Sequence, residues 1–392
     1  MTLTVRELDS TQGQVPDGKL QFAEVGEYTF ETGGYLPNVK LAFETWGELN
    51  EDASNAVLLL HALTGDTHVA RGESKEAGWW DQLVGPGGIV DTNHYFVVAP
   101  NMIGSCYGST GPASIAPDGR PWGSRFPFTT IRDSVNLELR LADQLGINKF
   151  HAVLGGSMGG ARALEWGVSA PERVGHCVVV AACAKSTAEQ IAFAQAQTAA
   201  IRLDPNYRGG DYYDAASSPA AGLGIARRIA HVTYRSEPEL ESRFSRQSQG
   251  EEDPFGGETI AHKRGRYAVE SYLDHQAGKI VDRFDANSYI VLTEALMSHD
   301  VGRSRGGVAE ALASAEDVEF LVAAVNSDRL YWPAQSDEIV NLVSRGKGVY
   351  TIDSPIGHDG FLTDIHQLGP VLNENVFTLR GSQIGSGDQE DR

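Results

Sequence analysis

The segment Gly155-Gly-Ser157-Met-Gly159 has the G-x-S-x-G pattern of a nucleophilic serine. It lies between an apolar run at 150–154, predicted as a strand, and a predicted helix at 158–168. A sharp turn at this junction would lift the Ser157 Oγ into solvent at the carboxyl end of a sheet, and the flanking glycines avoid clashes with neighbouring backbone. The Met158 amide at the helix N-terminus could then stabilise an oxyanion. The pattern therefore predicts acyl transfer through Ser157.

A serine nucleophile needs a general base, which in this class of fold follows an acidic residue in the chain. Among the histidines after Ser157, His358 lies in a loop that follows a predicted strand at 348–352. A loop at the carboxyl end of a strand can bring the imidazole to the serine. His366 lies further on, in a predicted helix, and is the weaker candidate. His358 is therefore predicted to be the base.

The acidic residue is expected at the end of the preceding strand, predicted at 318–325. Asp328 follows that strand in a loop at the same edge of the sheet. Asp337 and Glu338 come too late, because they fall inside the next predicted helix. Asp328 is therefore predicted to orient the imidazole.

A second oxyanion donor should come from the loop after the strand predicted at 55–60. This loop reads His61-Ala-Leu-Thr-Gly65 and lacks the HGGG form of the motif. The backbone N–H of Leu63 is the predicted partner of the Met158 N–H.

Three other kinds of site have no support in the sequence. The glycine-rich segment Gly85-Pro-Gly-Gly88 has Val90 where a dinucleotide-binding fingerprint needs its third glycine. The Gly-Lys pairs lack the Ser or Thr of a phosphate-binding loop, and no HExxH zinc motif occurs. No metal and no permanently bound cofactor is therefore expected.

The predicted elements that carry these residues form an α/β fold with an insertion. Alternating apolar and polar residues at 21–25 and 40–46 predict antiparallel strands. Continuous apolar runs are typical of buried parallel strands, and these are predicted at 55–60, 95–99, 150–154, 176–182, 318–325 and 348–352. Helices are predicted at 131–145, 158–168 and 333–345.

The chain between the strands at 176–182 and 318–325 has a different composition. Residues 185–300 contain long stretches rich in Ala, Gln, Arg and Glu and few β-branched runs. We therefore expect a discontinuous core (1–184 and 301–380), a helical lid (185–300) and a polar C-terminal tail (381–392).

Composition limits the location and the partners. The 392 residues include 32 Lys and Arg against 52 Asp and Glu, a net charge of −20, which argues against binding nucleic acid or an anionic membrane. The three cysteines, Cys106, Cys177 and Cys183, suggest neither a disulfide framework nor a zinc site. No signal core and no run of about 18 apolar residues is present, so we expect a cytoplasmic protein.

Several motifs together resemble the homoserine O-acetyltransferases of methionine biosynthesis, and the resemblance extends from about residue 20 to about residue 378. The motifs are His61-Ala-Leu-Thr-Gly65, Pro100-Asn-Met-Ile-Gly-Ser-Cys-Tyr-Gly-Ser-Thr-Gly-Pro112, Gly155-Gly-Ser-Met-Gly-Gly160, Ala226-Arg227 with Thr233-Tyr-Arg-Ser236, and Gly357-His-Asp-Gly-Phe361.

The resemblance implies an α/β-hydrolase core with a helical lid and a homodimer formed through the lid. It also implies transfer of acetyl from the co-substrate acetyl-CoA to the hydroxyl of L-homoserine by a ping-pong route. Ser157, Asp328 and His358 match the family's nucleophile, acid and base, and Arg227 and Asp359 match the positions that hold the amino acid. A guanidinium suits the carboxylate of homoserine and a carboxylate suits its ammonium.

Other interpretations stay open. Tyr234, two helical turns from Arg227, is a candidate for lining the pocket, and the spacing does not separate Arg227 from Arg228 or Arg235. The same fold could use succinyl-CoA or a serine acceptor, or act as an esterase with water as acceptor. A non-catalytic scaffold is disfavoured by the complete set of Ser, Asp and His.

Overall fold

The computed structural model describes residues 15–257, 259 and 264–377, and within them the main sheet has the order β1-β2-β6-β3-β7-β8-β9-β10. β1 and β2 are antiparallel, β2 joins β6 antiparallel, and every later pairing is parallel. The predicted α/β fold with a mostly parallel sheet is thus confirmed. The strands are β1 Gln21–Thr29, β2 Tyr35–Trp46, β3 Ala56–Leu60, β4 Val84–Gly85, β5 Val90–Asp91, β6 Phe96–Pro100, β7 Phe150–Gly156, β8 Val174–Val180, β9 Glu319–Val325 and β10 Gly346–Ile352.

Helices and loops cover both faces of the sheet. Successive residues of β3 point to opposite faces, so that Leu58 and Leu60 join one apolar core and Val57 and Leu59 join the other. The helices are α1 Ile131–Gln144, α2 Met158–Ser169, α3 Ala188–Arg202, α4 Ala220–Tyr234, α5 Glu237–Phe244, α6 Ala268–Arg283, α7 Ala286–Met297, α8 Val308–Ala313, α9 Pro333–Leu342, α10 Gly360–Thr363 and α11 Gly369–Asn375. The first core includes side chains of α1, α2 and α9, and the second includes side chains of α10 and α11.

The chain between β8 and β9 forms α3 to α8, and α4 packs against both α3 and α6. This arrangement supports the proposed division into a core and a lid at 185–300. The predicted C-terminal tail at 381–392 lies outside the described residues, as do residues 1–14.

Most predicted elements differ from the observed ones by a few residues at their ends, and two of them end at least two residues before the predicted carboxyl end. The strand predicted at 176–182 is β8, which ends at Val180 because Ala181 turns the chain with a φ of 48°. The helix predicted at 333–345 is α9, which ends at Leu342 because Val343 adopts an extended backbone. Both differences arise at element ends, where local backbone geometry overrides side-chain pattern.

Candidate active site

Ser157 sits on a strained turn between β7 and α2. Its φ of 57° and ψ of −124° lie in a region that side-chain-bearing residues rarely adopt. The turn is held by a hydrogen bond from the Ser157 N–H to the Val180 carbonyl at 3.0 Å. A Cβ on Gly159 would lie 1.9 Å from the Leu60 carbonyl oxygen, and one on Gly155 would lie 2.1 Å from the Gly159 oxygen. The glycines are therefore required by close backbone packing.

Ser157 is less exposed than predicted. The residue is 7% exposed rather than lifted into solvent, because lid side chains close over the turn. It lines a cavity of about 60 Å³, roughly two water molecules at ~30 Å³ each. The cavity is lined by Leu63, Ser157, Ser186, Gln190, Phe193, Ala194, Gln197, Thr233, Tyr234, Thr293, Leu296, Met297, Leu330 and Tyr331. Most of these belong to the lid, so the reaction site lies at the junction of lid and core.

The structure brings Ser157, His358 and Asp328 together in one hydrogen-bonded chain. The Ser157 hydroxyl donates to His358 Nε2 at 2.8 Å, and His358 Nδ1 donates to Asp328 Oδ2 at 2.7 Å. Asp328 Oδ1 accepts the backbone N–H groups of Leu330 at 2.8 Å and Tyr331 at 2.9 Å. Both carboxylate oxygens therefore have fixed partners, and the imidazole is held in the tautomer that can accept the serine proton.

The surroundings of His358 favour its charged form. Burial alone would lower its pKa, but the Asp328 carboxylate and its hydrogen bond outweigh burial, so the pKa is raised. The Tyr331 ring stacks on the imidazole with centroids 5.1 Å apart, and Phe361 packs beside it at the same distance. The alternative base His366 is exposed and contacts Gln82 at 3.2 Å.

The two predicted oxyanion donors border the same space. Leu63 lines the Ser157 cavity, and the Met158 N–H is at the start of α2. Within the described ranges, neither amide N–H donates a hydrogen bond to protein.

His61 fixes the backbone of the loop that carries Leu63. Its Nδ1 donates to the Ala62 carbonyl at 2.8 Å, and its Nε2 accepts the Met102 N–H at 3.0 Å. Burial, helped by the charge of Arg162, lowers the pKa of His61 to about 3. His61 is therefore neutral, and its acceptor nitrogen stays available to hold the loop.

The three predicted substrate residues are neighbours, because the Arg227 guanidinium lies over the Tyr234 ring and the Tyr234 carbonyl accepts the Asp359 N–H. Arg227 reaches from α4 to the core, with Nη1 3.5 Å from Thr64 Oγ1. Its guanidinium lies over the Tyr234 ring at 5.7 Å, and its buried Nε has no hydrogen-bond partner among the described residues. Burial has the largest effect on the Tyr234 hydroxyl and raises its pKa. The positive charge of Arg227 lowers this pKa and the negative charge of Asp359 raises it, so charges of both signs act on the hydroxyl.

Several residues of the site had no usable signal in the sequence. Tyr331 follows Asp328 by three positions, but nothing in the pattern indicates that its ring covers the base. Arg283, at the end of α6, donates to the Thr64 carbonyl at 2.9 Å and to the Tyr107 hydroxyl at 2.6 Å, which joins the lid to the core. Their roles depend on how the lid folds over the sheet.

The cysteines are outside the hydrogen-bonded chain of the site. Burial raises the pKa of Cys106 to about 11 and that of Cys183 to about 12, and it raises that of Cys177 further. Among the described residues, no group of three or more His, Cys, Asp or Glu side chains could hold a metal ion. None of the described helices has the length and apolar character needed to cross a membrane.

Comparison with known proteins agrees with the motifs. Residues 55–364 match the model of the alpha/beta hydrolase fold family. The chain is 54% identical to homoserine O-acetyltransferase from Thermobifida fusca (strain YX) over 92% of this chain and 94% of that protein.

Two solved structures illustrate the range of similar folds. A homoserine O-acetyltransferase from Bacillus anthracis aligns with a TM-score of 0.85 and 30% identity, covering 94% of this chain and 99% of that one. An acetylester hydrolase from Corynebacterium glutamicum aligns with a TM-score of 0.76 and 27% identity, covering 92% and 95%. The resemblance expected from the motifs is confirmed: this chain belongs to the α/β-hydrolase family and, within it, to the homoserine O-acetyltransferases.

Proposed function

We propose that this protein transfers the acetyl group of acetyl-CoA to the hydroxyl of L-homoserine through an acetyl-serine at Ser157. The observation that carries the proposal is the chain of hydrogen bonds from Ser157 to His358 to Asp328. Ser157 Oγ attacks the thioester carbonyl while His358 takes its proton, and the N–H groups of Leu63 and Met158 stabilise the oxyanion. The intermediate collapses, and coenzyme A leaves with the proton from His358.

Homoserine then takes the place of coenzyme A. Its carboxylate binds Arg227 and its ammonium binds Asp359, the residue next to the base. His358 removes the proton from the hydroxyl, whose oxygen attacks the acetyl-serine, and collapse returns that proton to Ser157. Anchoring at both charged ends gives the hydroxyl a high effective concentration and lets it compete with water.

The lining of the cavity favours an acetyl donor over a succinyl donor. Among the described side chains that line it, none is Lys or Arg. A succinyl chain would bring a second carboxylate against this lining, and burying an unpaired carboxylate is costly.

The test is a matrix of acetyl-CoA and succinyl-CoA against homoserine, serine and no acceptor, with release of coenzyme A and product identity measured. We expect O-acetylhomoserine as the main product and, with acetyl-CoA alone, an acetyl group on Ser157 by mass spectrometry. Ser157→Ala should abolish both, and a rate like that of the wild type in this variant would refute the proposal. Arg227→Ala should raise the KM for homoserine and leave acylation intact.

An esterase is the second candidate, with water as the acceptor. The similarity to an acetylester hydrolase favours it, because water can also attack a serine that is acylated with the help of a Ser-His-Asp chain. Product analysis with and without homoserine separates the two. Acetate as the main product at saturating homoserine would support the esterase.

We also propose that the protein acts as a cytoplasmic homodimer joined through the lid. The outer surface of α3 and α4, with the residue that follows α3, exposes large apolar side chains, which a second copy would cover. These are Ile191, Leu203, Ile225 and Val232. Light scattering on Ile225→Arg should show a monomer where the wild type is a dimer.

A further inference from the structure

The carboxylate of Asp359 faces a second arginine that is distinct from Arg227. Arg235, the residue directly after α4, places Nη2 3.2 Å from Asp359 Oδ2, and both side chains are 17% exposed. On its other side, Arg235 Nη1 lies 3.6 Å from Glu239 Oε1. Arg243 Nη1 approaches the same Glu239 oxygen at 2.7 Å. Charges of alternating sign therefore lead from the protein surface to the site.

The main chain fixes this pair in place. The Asp359 N–H donates to the Tyr234 carbonyl at 3.2 Å, and the Ser236 N–H donates to the Ile356 carbonyl at 2.9 Å. A Cβ on Gly357 would lie 2.5 Å from the Ser236 nitrogen, so only glycine allows this approach. The end of α4 and the loop of His358 are therefore joined through their backbones, which keeps the main chain of Arg235 beside that of Asp359.

The cations around Asp359 favour its charged form. Burial has the largest effect on the pKa of Asp359 and raises it. Three cations lower this pKa, with Arg235 first, then His358 and Arg227, and the Asp328 carboxylate raises it again. The net result is a pKa above the ordinary value for Asp. In the proposed reaction Arg227 is occupied by the substrate carboxylate, and His358 must be neutral to act as a base. Arg235 is then the cation that remains beside Asp359 throughout the cycle. A protonated Asp359 would lose its charge attraction for an ammonium.

We propose that Arg235 is a positioning residue for the acceptor half-reaction, which holds the Asp359 carboxylate in place as the charged partner of the substrate ammonium. Arg235 itself binds Asp359 and Glu239 rather than substrate. The inference rests on the proposed function, because it assigns the acceptor step to that same site.

The test compares Arg235→Gln, Arg235→Lys and the matched control Arg228→Gln, whose arginine lies on α4 and pairs with Asp274 at 2.8 Å. We expect Arg235→Gln to lower kcat/KM for homoserine by about tenfold or more, the usual effect of losing a charged partner. The burst of coenzyme A release without acceptor should be unchanged. In pH profiles of the two half-reactions, the acid limb of the acceptor step should move to higher pH, because Asp359 loses its cation. The acid limb of acylation should not move. Arg235→Lys should restore much of the loss, and Arg228→Gln should behave as the wild type.

A second variant should shift the pH profile of the acceptor step in the opposite direction, and it leaves Arg235 in place. Glu239→Gln removes the negative charge on the far side of Arg235, so the acid limb of the acceptor step should move to lower pH. The inference is overturned if Arg235→Gln keeps the kcat/KM of the wild type, if acylation falls in parallel, or if Glu239→Gln shifts the limb upward or not at all. The proposed function fails in a different way, when the wild type itself forms no O-acetylhomoserine.

Discussion

Replacing Asp328 with Asn should disable the base while keeping its position. Asp328 Oδ1 accepts two backbone N–H groups, at 2.8 and 2.9 Å, so the amide of an Asn at this position must direct its oxygen towards them. Its NH₂ group then faces His358 Nδ1, which lies 2.7 Å from Oδ2 in the wild type. A donor at that place forces the proton of His358 onto Nε2, the nitrogen that must accept from Ser157.

We expect the acylation rate of Asp328→Asn to fall by about ten-thousandfold, the loss measured for the same change in a serine protease. This corresponds to about 5 kcal/mol of transition-state stabilisation. The assay is the burst of coenzyme A release from acetyl-CoA, with Asp337→Asn, an exposed residue of α9, as the control. Loss of less than tenfold in a folded Asp328→Asn protein would show that the backbone N–H groups do not fix the amide, or that His358 is not the base.

Three further predictions concern titration and packing. The rate of acylation should fall at acid pH with a midpoint above the ordinary His pKa of ~6.5, because the raised pKa of His358 keeps the imidazole protonated there. A midpoint below that value in the pH profile would contradict this prediction. Gly159→Ala should destabilise the protein by about 3 kcal/mol or more, since its Cβ would lie 1.9 Å from the Leu60 oxygen. Gly278→Ala, an exposed position in α6 with open space around it, should instead stabilise by ~0.5–1 kcal/mol in denaturant titrations. Because burial raises the pKa of all three thiols, treatment with iodoacetamide at neutral pH should leave the activity intact. Rapid inactivation together with labelling of a cysteine would disprove this prediction.

The fold and the hydrogen-bonded chain of the site could be predicted because they depend on simple features of the sequence. Ser157, Asp328 and His358 each follow a strand, and parallel strands end at the same edge of a sheet. Residues that are distant in the chain are therefore brought together by topology alone. The order of the predicted strands and the glycine-rich turn were therefore enough to identify Ser157, Asp328 and His358.

The lid residues could not be predicted in the same way. Whether Arg227, Arg228 or Arg235 faces the site depends on the rotation of α4 and on how the chain leaves it, because Arg227 and Arg228 lie on this amphipathic helix and Arg235 directly follows it. The burial of Ser157 likewise depends on how the lid side chains that line its cavity pack against the core. These features are set by packing between two parts of the chain, for which a single sequence carries no local signal.

The same packing explains how one fold can serve different acceptors. In the proposed mechanism His358 acts in acylation and its neighbour Asp359 binds the acceptor, so a single loop would carry both functions. Because that loop is hydrogen-bonded to the end of α4, a substrate held by Arg227 and Asp359 is automatically positioned relative to the base. In the proposed mechanism the hydrogen-bonded chain that acylates Ser157 belongs to the core, whereas selection of homoserine over water depends on the contact between the end of α4 and the loop of His358. Substitutions at this junction should therefore alter the acceptor before they alter the rate of acylation.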